Sequence, residues 1–294
     1  MAYHSLQDLI DQSAAGKSLP RVVLENELQL TGMSEEALHA ELCRRLEVMR
    51  ASTQKALDEP QTMACNLIKG QARLQKRYLD AAGSASLCGE AANRAMAMAL
   101  SCSEVNASMG RICAAPTAGS CGILPAVLCT LEDEKGYTED QLVDALLVAC
   151  GVGAVIMRNA TVAGAEGGCQ AECGAAAAMA AAASVQLQKG TPRQMANAAA
   201  IALINVMGLV CDPIAGLVEL PCSFRNASGA VNALLSADLA LAGQDPGIPP
   251  DEVIDAMYRT GRKLPMELRE TALGGMAAQP SAKAIAKKLA AGEV

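Results

Sequence analysis

The amino-acid sequence predicts a mainly α-helical protein that forms a single large all-α domain. Hydrophobic residues make up 51% of the 294 residues, yet aromatic residues make up only 2% and tryptophan is absent. Alanine, glycine, methionine and cysteine supply the apolar bulk instead, and small side chains let helices pack closely together. Helix-start signals recur along the chain, whereas the alternating pattern of a strand is scarce.

The N-terminal region, residues 1–60, is expected to form a helical arm that precedes the main body at 61–294. Ser34 is followed by two glutamates, which is typical of a helix start because acidic groups favour the positive end of the helix dipole. Apolar side chains then recur at helical spacing, at Leu38, Leu42, Leu46 and Met49. The one candidate strand in the chain is the segment LPRVVLEN at 19–26.

Two capping boxes predict the starts of helices in the body. Thr138 with Gln141 forms the first, and Thr191 with Gln194 forms the second, in which Pro192 takes the first helical position. In such a box each of the two side chains satisfies a backbone N–H that the helix leaves free.

Two long uncharged stretches, 173–188 and 195–211, are expected to be buried core helices rather than membrane spans. The first is mostly alanine, the second contains two asparagines, and no aromatic belt flanks either one. The helix in the second stretch should end near Gly208, a suitable C-terminal glycine. Further helices are expected near Pro250 and from Ser281.

The charge balance argues against nucleic-acid binding, because the net charge is −7 and no basic stripe is available to neutralise phosphates. The first twenty residues contain two aspartates and no apolar core of signal-peptide length, so a cytoplasmic protein with no membrane segment is expected. Disulfides are rare in that compartment. The 12 cysteines should therefore be divided between core packing and chemistry.

Four cysteines lie in loops that are rich in glycine or proline. Cys169 and Cys173 are surrounded by glycines in AGAEGGCQAECG, while Cys211 and Cys222 lie at the two ends of CDPIAGLVELPC, where Pro213 prevents a helix from continuing. Three such loop cysteines can converge on one site. The residues alone leave three interpretations open: a zinc site with an open fourth position, a [4Fe–4S] cluster held by three cysteines, or unrelated cysteines in a cysteine-rich chain.

The segment PTAGSCG at 116–122 predicts a loop that leads into an apolar helix near Ile123. A loop before a helix N-terminus presents free backbone N–H groups and a favourable dipole, which suit a carboxylate or a phosphate. The hydroxyls of Thr117 and Ser120 add further donors. The alternative is a plain turn between two core helices.

The chain has only two histidines, His4 and His39, and neither adjoins a cluster of cysteines or carboxylates in the sequence. A Cys₂His₂ zinc finger, a Cys–His protease and a Ser–His–Asp hydrolase therefore lack parts within this chain. No lysine stands in a setting that suggests a Schiff base, so pyridoxal phosphate is not expected.

Three segments, in order and at the expected separations, resemble one protein family. They are EVNASMGRICAAPTAGSCGILPAVL at 104–128, GAEGGCQAECG at 164–174 and CDPIAGLVELPCSFRNASGAVNAL at 211–234. Together they are similar to the α-chain of the iron–sulfur-dependent L-serine dehydratases, and the resemblance covers residues 61–278. It implies a mainly α-helical catalytic domain with cluster-binding loops at helix ends.

The resemblance also implies a [4Fe–4S] cluster with one open iron, and it implies which residues hold it. The matching ligands are Cys169, Cys211 and Cys222. Cys173 does not match a ligand position. Arg225 and Asn226, just past the last ligand, are implied as candidates for contact with the substrate or the cluster.

The implied reaction is β-elimination of water from L-serine, which yields pyruvate and ammonia. The open iron would bind the hydroxyl as a Lewis acid, since hydroxide is a poor leaving group near neutral pH. A base would remove the Cα proton. The substrate carboxylate would be held by the loop residues Thr117, Ala118, Gly119, Ser120 and Gly122.

Two departures from the family pattern limit these expectations. Single-chain members carry an additional regulatory domain and a C-terminal cysteine tail, whereas this chain ends KKLAAGEV. The resemblance therefore implies the two-subunit type, with a separate β-chain in a hetero-oligomer. The general base is unassigned, because neither histidine matches a family motif, and the β-chain is a candidate source. Two alternatives stay open: a related cluster lyase acting on L-cysteine, and a metal- or cluster-binding subunit without catalysis of its own.

Overall fold

The computed structural model describes residues 3–293, and in that part of the chain thirteen α-helices are connected by loops and short turns. The helices are α1 (Leu6–Ala14), α2 (Leu19–Thr31), α3 (Glu35–Asp58), α4 (Gln71–Ala82), α5 (Gly89–Ala107), α6 (Ile123–Lys135), α7 (Glu139–Asn159), α8 (Gly164–Gly167), α9 (Ala175–Leu187), α10 (Pro192–Ile204), α11 (Cys222–Leu241), α12 (Pro250–Lys263) and α13 (Pro280–Ala290). Residues 3–293 contain no β-strand, only one backbone bridge between Cys211 and Arg269. The predicted all-α fold is confirmed.

Helix α9 lies at the centre of the fold and is packed by α6, α7, α10 and α11. All of its alanines are completely buried. Small side chains on a central helix allow its neighbours to approach closely, which explains how a core with so few aromatic residues is filled. The prediction that the two uncharged stretches form core helices is confirmed, since they contain α9 and most of α10.

Helix α7 is the one helix of the described residues that is long and apolar enough to cross a membrane. Of its apolar window, 67% is buried inside the protein. A core helix of a globular domain is buried in this way, so packing in the core explains the apolar composition of α7.

The first sixty residues add three helices to the same hydrophobic core as the body. Leu9, Val23 and Met49 are at most 1% exposed and belong to the main core cluster. Helix α1 contacts α10 and α12, and α3 contacts α5, α6 and α7. The division of the chain at residue 60 stays a prediction.

The predicted strand at 19–26 is wrong, because these residues belong to helix α2. Ser18 caps this helix by accepting a hydrogen bond from the backbone N–H of Arg21, and Pro20 lies in the first turn, where its missing N–H costs nothing. Val22 and Val23 are buried, and α2 packs against α7. Burial of one helical face here outweighs the local preference of valine for strands.

Most of the predicted helix boundaries are confirmed. Ser34 caps α3, both capping boxes form, and α12 and α13 begin at or next to the expected residues. Helix α10, however, ends at Ile204, earlier than the predicted end near Gly208. The Asn205 side chain donates a 2.7 Å hydrogen bond to Asn232 of α11, and the backbone continues as a turn up to Gly208.

Four connecting segments meet at one end of the helix bundle, and they carry the predicted site. They are 110–122 before α6, 160–174 around α8, 205–221 before α11, and 264–279 before α13. The start of α11 contacts both the 118–120 turn and the 170–174 turn. The bridge between Cys211 and Arg269 adds the last segment.

Candidate functional site

Cys169 is positioned by a glycine-rich turn that leads into a π-helical turn, Gln170–Gly174. Gly168 has a φ of 75°, and a Cβ there would lie 2.7 Å from the carbonyl oxygen of Leu209, so only glycine fits without strain. The wider turn places the sulfur of Cys173 3.3 Å from that of Cys169. Both thiols are 3% exposed.

Cys211 is held through its backbone by a segment near the C-terminus. Its N–H donates to the carbonyl of Leu268 (2.9 Å), and its carbonyl accepts from the N–H of Glu270 (2.8 Å). Its side chain is 3% exposed. No sequence pattern predicts this pairing, because residues so far apart in the chain carry no local pattern that links them.

Gln170 ties the Cys169 turn to the Cys211 loop. Its side-chain oxygen accepts from the N–H of Gly208 (2.8 Å), and its side-chain nitrogen donates to the carbonyls of Gly167 (2.9 Å) and Met257 (3.1 Å). Gln170 is completely buried. A buried amide with all these bonds made fixes the relative position of the two loops.

Cys222 is the first residue of α11, at the end of a loop that is closed on itself. The N–H of Ile214 donates to the carbonyl of Leu220 (2.9 Å). The carboxylate of Glu219, 2% exposed, accepts from the backbone N–H groups of Cys65 (2.9 Å) and Leu67 (2.7 Å). These bonds anchor the loop to the segment before α4.

The cysteines of these loops form one buried group with unequal acidities. The hydrogen bond to Cys173 and the nearby Arg225 lower the pKa of Cys169, although burial opposes them. Burial and the charge of Cys169 raise the pKa of Cys222 to about 12 and that of Cys211 still further. Among residues 3–293, the three predicted ligand sulfurs do not all lie within 4.8 Å of one another.

The predicted substrate loop, Thr117–Gly122, lies beside this thiol group and is joined to it by Asn226. The Asn226 side chain donates to the carbonyls of Gly119 (2.8 Å) and Cys222 (2.9 Å) and accepts from the N–H of Gly122 (2.8 Å). Asn226, which was expected to contact substrate or cluster, is thus bonded to protein backbone. Its contacts make it a residue that positions the loop.

The two hydroxyls of the loop also have partners within the protein. The Thr117 hydroxyl donates to Glu172 Oε1 (2.8 Å) and lies 3.1 Å from the hydroxyl of Ser120. By contrast, the N–H groups of Ala118 and Gly119 make no hydrogen bond to the described residues. These two N–H groups are therefore the ones available to an anion.

Arg225 places a guanidinium beside the thiols. Its Nη2 donates to Asp212 Oδ1 (2.7 Å), while Nη1 is buried and has no hydrogen-bond partner among the described residues. Asp212 in turn accepts from the N–H of Met276 (2.6 Å) through Oδ2. A buried donor without a partner is costly, so this nitrogen is a donor available to a bound group.

Two carboxylates that no sequence motif predicts also face the site. Oxygen atoms of Glu172 and Glu270 and the sulfur of Cys211 all lie within 4.8 Å of one another. Burial raises the pKa of Glu172. Its position between Cys169 and Cys173 was the one signal that could have revealed it.

A cavity of about 490 Å³ opens next to the predicted substrate loop. Its walls come from the loop, from the segment between Cys211 and Cys222, and from two other parts of the chain. The lining includes Ala118, Leu217, Val218, Met63, Asn106 and Met109. The loop and the cysteine-bearing segment are therefore reachable from outside the core.

Comparison with known proteins relates this arrangement to one family. The family model described as "Serine dehydratase alpha chain" matches residues 14–277. The chain is 46% identical to the L-serine dehydratase, alpha chain, of Peptoniphilus asaccharolyticus, with 96% of each chain covered. It is 45% identical to a probable L-serine dehydratase, alpha chain, of Bacillus subtilis (strain 168), over 92% of this chain and 89% of the relative.

A longer relative shows a different chain organisation. L-serine dehydratase 2 of Escherichia coli (strain K12) is 37% identical, and the match covers 94% of this chain but only 61% of the relative. The matched family model covers the three cysteine-bearing turns, the predicted substrate loop and most of the C-terminal segment that pairs with Cys211. The chain belongs to the serine dehydratase alpha-chain family.

Proposed function

We propose that this chain is the α-subunit of an L-serine ammonia-lyase that binds a [4Fe–4S] cluster through Cys169, Cys211 and Cys222. The observation that carries the proposal is that the buried thiols of Cys169, Cys211 and Cys222, from separate loops, lie so close together that, beyond the effect of burial, the charge of Cys169 raises the pKa of the other two. Asn226 holds Cys222 beside the loop Thr117–Gly122, and the chain belongs to this family. Three thiolate ligands leave one iron of such a cluster without a protein ligand.

The donor set of the site fits a cluster better than a single zinc ion. Zinc with Zn–S bonds of about 2.3 Å in a tetrahedron brings its sulfur ligands within about 4 Å of one another. The three thiols here are spread more widely than that. All the cysteines are free thiols, and the partnerless nitrogen of Arg225 faces the same region, so an anionic group there would be stabilised.

The bound cluster supplies a Lewis acid for the substrate hydroxyl. The chain's own residues supply the binding and the orientation. The free N–H groups of Ala118 and Gly119, next to the N-terminus of α6, suit the substrate carboxylate. Asn226 holds this loop against the residue that begins α11, Cys222, so the carboxylate and hydroxyl ends of one small molecule would be fixed together.

The elimination itself removes the Cα proton and the hydroxyl group from L-serine, which gives aminoacrylate and water. Aminoacrylate tautomerises to an imine, and a water molecule hydrolyses the imine to pyruvate and ammonia. We assign the proton acceptor to a separate β-chain, which would make the active enzyme a hetero-oligomer, and we place that enzyme in the cytoplasm. The relatives named as alpha chains support a partner of this kind.

Purification without oxygen tests the proposed function. We expect a brown protein with iron and sulfide in equal amounts, and pyruvate from L-serine when the β-chain is added. A colourless chain that takes up no iron during anaerobic reconstitution would refute the cluster. Sulfide release from L-cysteine in place of pyruvate from L-serine would identify the L-cysteine lyase instead, and a loaded complex inert towards both would identify a non-catalytic subunit.

A further inference from the structure

Two carboxylates at the site stand close together without a cation. Glu172 and Glu270 share one region with the sulfur of Cys211, with ligand atoms of all three within 4.8 Å. Neither glutamate forms an ion pair with a lysine, arginine or histidine of the described residues. Neighbouring carboxylates repel each other unless a positive charge or a proton is bound between them.

The backbone at Gly164 and at Glu270 allows the two carboxylates to lie close together. A Cβ at Gly164 would lie 2.8 Å from Glu172 Oε2 and 3.0 Å from Glu270 Oε2, so glycine at this position leaves room for both. Glu270 has a φ of 63°, in the left-handed region that residues other than glycine rarely adopt. Backbone strain of this kind persists where the surrounding structure requires it, often at a binding site.

Glu172 also lies at the right place relative to the two other polar groups of an amino acid. Its Oε1 accepts from the Thr117 hydroxyl in the loop (2.8 Å), and its Oε1 is 3.1 Å from the position of a Cβ on Gly119. On its other side it approaches the thiol of Cys211. The carboxylate of Glu172 therefore stands between the anion-binding N–H groups and the thiol group.

We propose that Glu172, with Glu270 as a second contact, binds the α-ammonium group of the amino-acid substrate. This inference rests on the proposed function, since it takes the substrate carboxylate to lie on the loop and its hydroxyl to face the thiols. An amino acid then makes three separate contacts around its Cα atom. Three contacts define the configuration of that carbon, so the same subsite discriminates L-serine from D-serine and from analogues without an amino group.

The test compares binding of L-serine and of L-glycerate, in which a hydroxyl replaces the ammonium group. Calorimetry would be done on the full-length chain with reconstituted cluster but without the β-chain, to which the proton acceptor is assigned, so that L-serine binds without being converted, and iron would be measured in each sample. We expect Glu172→Gln to weaken L-serine binding about 10- to 100-fold, as for a lost charged hydrogen bond, and to leave L-glycerate binding unchanged. Glutamine keeps an oxygen for the Thr117 hydroxyl, so the fold is preserved.

Matched variants control for the substitution itself. Glu166→Gln changes an exposed carboxylate on the neighbouring α8, and it should bind both ligands as the wild type does. Glu270→Gln should give a smaller loss for L-serine than Glu172→Gln, with Glu267→Gln as its exposed control.

Two outcomes overturn the assignment, and a third separates it from the proposed function. Equal weakening of both ligands by Glu172→Gln would mean that the residue only supports the loop. Loss of iron from Glu172→Gln would make the residue part of the metal site. A wild-type chain that prefers L-serine but contains no iron would instead refute the cluster and leave the ammonium subsite standing.

Discussion

We expect the Cys211→Ser chain to contain less than about a tenth of the wild-type iron after anaerobic reconstitution, whereas the Cys173→Ser chain keeps its iron. Cys211 is one of three thiols assigned as ligands, and a serine hydroxyl is a poor replacement for a thiolate on iron. Cys169→Ser and Cys222→Ser should have the same effect. Iron and sulfide analysis, together with the visible absorption of the protein, measures the result.

Cys173 is a suitable control because it matches the ligands in burial and lies 3.3 Å from Cys169. Loss of its thiol removes the hydrogen bond that lowers the pKa of Cys169 but leaves three ligands in place. If Cys173→Ser and Cys211→Ser lost equal amounts of iron, the ligand assignment would be wrong. A second control, Cys102→Ser, replaces a completely buried thiol in α5 that none of the site loops contains.

The largest effect on stability is expected for Gln170→Leu. Leucine has a similar size but leaves the N–H of Gly208 and the carbonyls of Gly167 and Met257 without their partner. An unsatisfied buried group costs about 1–3 kcal/mol, so the free energy of unfolding should fall by about 3 kcal/mol or more. Urea denaturation of the iron-free chain measures this change.

The same variant should also lose iron, because the Cys169 turn and the Cys211 loop keep the bond from the Gln170 backbone N–H to the Leu209 carbonyl (3.1 Å) but lose the one from the Gly208 N–H to the Gln170 side chain. Gln188→Leu at the exposed end of α9 is the matched control and should change the free energy of unfolding by no more than about 0.5 kcal/mol. A Gln170→Leu chain as stable as this control would show that the two loops are held together by other contacts.

Helix caps and core helices were predictable because their signals are local. A capping box spans four residues, as at Thr138 and Thr191. An uncharged alanine-rich stretch such as α9 predicts a buried helix from its composition alone. The prediction of a strand at 19–26 was wrong because the deciding contacts are not local. Two adjacent valines favour a strand locally, but the face that α2 buries against α7 is a property of the tertiary structure.

The candidate site was predictable only in part. The glycine- and proline-rich loops and the family resemblance selected the cysteines and the loop Thr117–Gly122. Glu270 and Gln170 gave no signal, because their partners lie in segments distant in the chain, such as the Cys211 loop. Arg225 was foreseen near the site, but its partner Asp212 and its free nitrogen depend on side-chain geometry that no spacing rule contains.

The backbone pairing of Cys211 with residues 268–270 bears on how the protein is made in the cell. Until the ribosome has delivered that segment, the N–H and carbonyl of Cys211 have no protein partners. A nascent or truncated chain that stops before Leu268 would hold the Cys211 loop through Gln170 and through the Arg225–Asp212 ion pair, but without the two backbone bonds at Cys211 itself. We therefore expect a chain that stops before Leu268 to hold iron less tightly than the full-length chain does.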